Sequence, residues 1–136
     1  MTDELSNRLA ALTHHLETEF GQAVLIERPD NGGVRIGDAA EAGIPITWND
    51  HGPGTPLLHV DIGRHRVPLQ RTAASIDYLE QIARAAITGQ ITESRAPGRT
   101  TLTITLPDGT TTTEHTYRLS FTRTPTHTHP PYTPAP

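Results

Sequence analysis

Cysteine and lysine are both missing from this chain of 136 residues. Without cysteine there is no disulfide, no thiolate metal ligand and no thiol nucleophile. A reducing compartment, the cytoplasm, is the expected location. All 11 basic residues are arginine, which fits GC-rich codon usage without any functional demand. Aromatic residues make up only 4 %, so a stacking platform for bases is not in view. No apolar run approaches the roughly 18 residues of a membrane span. The start, Met1-Thr2-Asp3-Glu4, has neither the basic nor the apolar stretch of a secretory leader. A net charge of -4 and a pI near 6.0 exclude a protein that binds nucleic acid with its whole surface.

What is present is periodic. Leu5, Leu9, Leu12, Leu16 and Phe20 recur at the spacing of one helix face, with Thr2 as the expected cap and Gly21 as the stop. Ile76, Leu79, Ile82, Ala83, Ala86 and Ile87 predict a second amphipathic helix over 72–88, ended by Gly89. Between the helices, strands are expected over 23–28, 34–36, 44–49 and 57–63. A two-residue turn at Asn31-Gly32 would set Glu27 opposite Ile36. Leu58, Val60 and Ile62 share one strand face, and His59 and Asp61 the other.

After the second helix, 101–106 alternates threonine with an apolar residue, and Asp108-Gly109 reads as a two-residue turn. That register sets Leu102 opposite His115 and Ile104 opposite Thr113, so Tyr117, Leu119 and Phe121 would join the core face. From Arg123 onward Pro, Thr and His dominate, and five of the last twelve residues are Pro. Such a segment is expected to be extended and disordered, and its removal to shift the melting temperature by less than about 3 °C.

The expected fold class is α+β: two amphipathic helices packed on one face of a mostly antiparallel sheet, in the order α-β-β-β-β-α-β-β. Residues 1–122 would form a single domain and 123–136 the tail.

Candidate chemistry is sparse. His51, His59, Asp61 and His65 lie close in sequence and contain metal-ligand and acid–base side chains, but their spacing matches no known motif. They read as a solvated strand face, and less than about 0.2 equivalents of zinc is expected. His127-Thr128-His129 reads as tail composition. No serine sits in a nucleophile elbow and no phosphate-cradling loop occurs. Neither a catalytic residue nor a metal or other cofactor is expected.

Arg64, Arg66 and Arg71 form a local basic cluster suited to an acidic partner. The expected function is a non-enzymatic protein-binding module of the inhibitor, immunity, chaperone or adaptor type, with neither nucleic acid nor membrane as partner. The alternatives are a small metal-dependent enzyme using the His/Asp group and a nucleic-acid-associated protein using the arginines.

Overall fold

The leucine spacing at the start produces the first helix, α1 (Glu4–Phe20). Its cap is Asp3 rather than Thr2: Asp3 Oδ1 accepts the backbone N–H of Ser6 at 2.9 Å. The computed structural model describes residues 3–29, 33–117 and 124–136. Leu9, Leu12 and Leu16 are buried, so the predicted stripe is the one that packs. Leu12 is 2 % exposed. Leu12→Ala should therefore cost roughly 2–4 kcal/mol in urea unfolding, and a cost below about half a kilocalorie would mean the stripe is not core.

Beyond a short 3-10 turn, five strands follow: β1 (Val24–Glu27), β2 (Gly33–Asp38), β3 (Ile46–Asn49), β4 (Leu57–Ile62) and β5 (His65–Gln70). They form an antiparallel sheet in sequence order. The second helix, α2 (Ala73–Ile87), is capped by Thr72. The last strands are β6 (Ile91–Ala96), β7 (Arg99–Thr105), β8 (Thr111–Tyr117) and β9 (Thr124–Thr128), in a second antiparallel sheet of order β8-β7-β6-β9. The α+β class holds, but the described residues form two sheets where one was expected. Among them, five strands precede α2 and four follow it, against an expected four and two.

The extra strands were concealed by composition. β5 carries Pro68 in mid-strand, which an edge position tolerates. β6 reads Ile-Thr-Glu-Ser-Arg-Ala, and β9 Thr-Pro-Thr-His-Thr, both too polar to signal a strand.

Two registers also differ from expectation. Glu27 faces Arg35, not Ile36. In the β7–β8 hairpin, Leu102 pairs with Glu114 and Ile104 with Thr112. The turn is longer than two residues: Gly109 N–H donates to Leu106 O at 2.8 Å, and Leu106 N–H to Thr110 O at 2.8 Å. Gly109 adopts φ 89°, the left-handed residue that closes a three-residue loop. One extra residue flips the parity of β8. Tyr117 therefore lands on the outer face, 75 % exposed, beside the threonines. Leu119 and Phe121 lie outside the described residues.

The tail expected to be disordered is placed by the structure. β9 pairs with β6, and Tyr132 is buried. The proposed boundary at 122/123 lies outside the described residues. One core cluster draws on both helices, both sheets and Tyr132. No helix among the described residues is long and apolar enough to cross a membrane.

Candidate functional site

The two-residue turn Gly63-Arg64 reverses the chain directly after Ile62. Gly63 takes φ 60°, a conformation glycine adopts without a Cβ clash. His65 is thereby set opposite Ile62 and shares its inward face, 6 % exposed. In the second sheet Glu93 sits opposite Leu102, on the inward face that also carries Ile91 and Ile104. His127 of β9 pairs with Glu93 from the other side, and the strand period of two brings His129 to the same face.

These placements converge on one carboxylate oxygen. Glu93 Oε1 lies 3.4 Å from His65 Nε2 and 3.3 Å from His129 Nε2. Arg95 Nε lies 3.3 Å from the other oxygen. The far side of the His65 ring, Nδ1, is 2.9 Å from Thr116 Oγ1. Burial disfavours the charged form of Glu93, but the contacts with His129 and His65 outweigh it and hold its carboxyl below the usual range.

Around this carboxylate opens a cleft of about 400 Å³. Arg64 and His65 line it from the first sheet, and Glu93, Arg95, His127 and His129 from the second. A larger cleft of about 510 Å³ lies elsewhere, near the end of α2. The charges lining that cleft, Glu19 and Arg84, are paired with each other.

The basic cluster expected from sequence is divided. Arg64 is exposed at the cleft. Arg66 is exposed on the opposite face of β5, with Nε 3.2 Å from Asp61 Oδ1. Arg71 is not a surface residue. Its side chain is 6 % exposed and holds two carboxylates, with Nη1 2.7 Å from Asp3 Oδ2 and Nε 2.7 Å from Asp50 Oδ1. A guanidinium so enclosed joins the start of α1 to the loop after β3 and is removed from any binding surface.

The sequence-local histidine group is divided in the same way. The His51 and His59 rings meet edge-to-face with centroids 5.5 Å apart, while Asp61 turns to Arg66. His65 points inward, because adjacent faces of a strand alternate. The grouping that sequence reasoning missed is His65 with Glu93, His127 and His129. Its one legible signal was Glu93, a carboxylate two positions after Ile91 in a strand where that parity faces the core. No family model matches the chain, and comparison with curated proteins and with solved structures finds no match.

Proposed function

We propose that the protein is a non-enzymatic binding module of the cytoplasm that takes an acidic segment of another protein at the cleft where its two sheets meet. One observation carries this reading. Arg64, in the turn between β4 and β5, and Arg95, in β6, line the same open cleft together with three imidazoles, and the carboxylate among them, Glu93, is buried. A cleft so lined attracts carboxylates, and the attraction speeds encounter more than it tightens the complex. No catalytic residue belongs to this reading.

The test uses a fluorescent oligoglutamate peptide at low salt. Binding is expected to weaken as salt rises, and the double variant Arg64→Glu/Arg95→Glu should lose at least about tenfold in affinity. Unchanged affinity in a folded double variant would overturn the cleft as the binding surface.

A further inference from the structure

We propose that Glu93, His127 and His129 form a binding site for a divalent transition metal ion of the zinc class. The proposal is independent of the acidic-partner reading. It departs from the sequence-based expectation, which read His127-Thr128-His129 as tail composition and expected no metal site.

Two imidazoles and one carboxylate suit zinc and its first-row neighbours, whereas calcium and magnesium prefer all-oxygen surroundings. One potential ligand atom from each of Glu93, His127 and His129 falls within 4.8 Å of the others. In a tetrahedral zinc site with bonds of about 2.0–2.2 Å, neighbouring ligand atoms are about 3.4 Å apart. The 3.3 Å separation of Glu93 Oε1 and His129 Nε2 already matches that edge. It is long for a charge-assisted hydrogen bond, which normally spans about 2.7–2.9 Å. His127 has the furthest to move. Its ring is exposed and lies 4.8 Å, centroid to centroid, from that of His129, so its side chain is free of core packing that would hold it away.

The support around the ligands is also what a metal site needs. Glu93 is fixed in β6, an interior strand of its sheet. Arg95 engages Oε2 of Glu93 and so leaves Oε1 turned toward the histidines. His65, itself held by Thr116, braces Oε1 from the far side. The backbone N–H of His129 donates to Ile91 O at 2.9 Å, which fixes the position from which its ring projects.

Three protein ligands leave one position of a tetrahedral ion open. The three donors line the same cleft as Arg64 and Arg95, a setting that would suit water or an anionic oxygen donor as the fourth ligand. A bound ion would also fasten β9 to β6, so metal and C-terminal segment would stabilise each other.

The experiment titrates zinc chloride into the EDTA-treated full-length protein by calorimetry, with cobalt(II) absorption as a second readout. One equivalent is expected to bind with Kd below about 10 µM, raising the melting temperature by several degrees at saturation. Cobalt should give visible bands of four- or five-coordinate geometry. His127→Ala, at an exposed position, and His129→Ala should each weaken zinc binding at least about tenfold. His51→Ala/His59→Ala should leave it unchanged. A wild-type Kd weaker than about 10 µM would overturn the site, as would full zinc affinity in His127→Ala/His129→Ala or its loss in His51→Ala/His59→Ala.

Discussion

Replacing Tyr132 by alanine is expected to lower the melting temperature by about 10 °C or more. The ring is 6 % exposed and belongs to the core cluster. Removing a buried aromatic typically costs about 3–5 kcal/mol, and in a chain of this size each kilocalorie is worth roughly 3–5 °C. The hydroxyl donates to the carbonyl of Ile44, and the carbonyl of Ile36 lies 3.3 Å away. Burial and the neighbouring Asp38 raise the pKa of the phenol, so it stays neutral throughout the working range. The backbone around it is equally engaged. Tyr132 N–H donates to Ile87 O at 2.9 Å, and Thr133 N–H to Asp38 Oδ1 at 2.9 Å.

Two glycines make room for this segment. A Cβ on Gly43 would come within 2.6 Å of the Tyr132 ring, and one on Gly89 within 2.9 Å of Pro131. Deleting residues 124–136 should cost at least as much as the single substitution, since it also removes β9. A drop of less than about 3 °C by calorimetry in either variant would show that the segment contributes nothing to the fold.

Arg71→Ala should destabilise the protein by about 2–4 kcal/mol in urea unfolding. Breaking a buried pair usually costs about 3–5 kcal/mol because the abandoned charge stays buried, and the partial exposure of Asp3 reduces that here. Nη2 adds contacts of 2.9 Å to Asp3 Oδ1 and 3.2 Å to Asp50 Oδ2, so each carboxylate is held at two points. Arg71→Lys keeps the charge but loses the planar fork, and should recover only part of the loss.

The pH dependence has a definite sign. Hydrogen bonds from Arg71 are the main cause holding the carboxyls of Asp3 and Asp50 below their usual range. Groups depressed in the folded state stabilise it above their unfolded pKa, near 4, and that contribution drains away as pH falls toward their folded values. The advantage of the wild type over Arg71→Ala should therefore shrink between about pH 4 and pH 2, and an advantage that grew on acidification would contradict the assignment.

The parts of this molecule that were legible in the sequence are those with local causes. α1 and α2 follow from apolar residues at helical spacing, and their ends from Gly21 and Gly89. The inward faces of β3 and β4 follow from alternation: Ile46, Trp48, Leu58, Val60 and Ile62 are all buried as that pattern requires. The β7–β8 register was misread because Pro107-Asp108-Gly109 supports more than one turn, and the choice moves Tyr117 from core to surface.

Non-local pairing decided the rest. Nothing near Arg71 in sequence marks it as buried; Asp3, its partner, is 68 residues away. Proline-rich composition led to the expectation of a disordered tail, whereas β9 is paired with β6 and Tyr132 is buried. That reading left no place for docking, because the ladder partner β6 and the space beside Gly43 are supplied by other segments. The candidate site has the same origin. His129 and Glu93 are 36 residues apart and meet because β9 adds to the edge of β6. The sequence by itself determined the helices, the α+β class and the faces of the apolar strands, since these depend on periods of 3.6 and 2 within one segment. Only the tertiary structure decided which polar side chains share a cleft, because that depends on which edges pair and in what register.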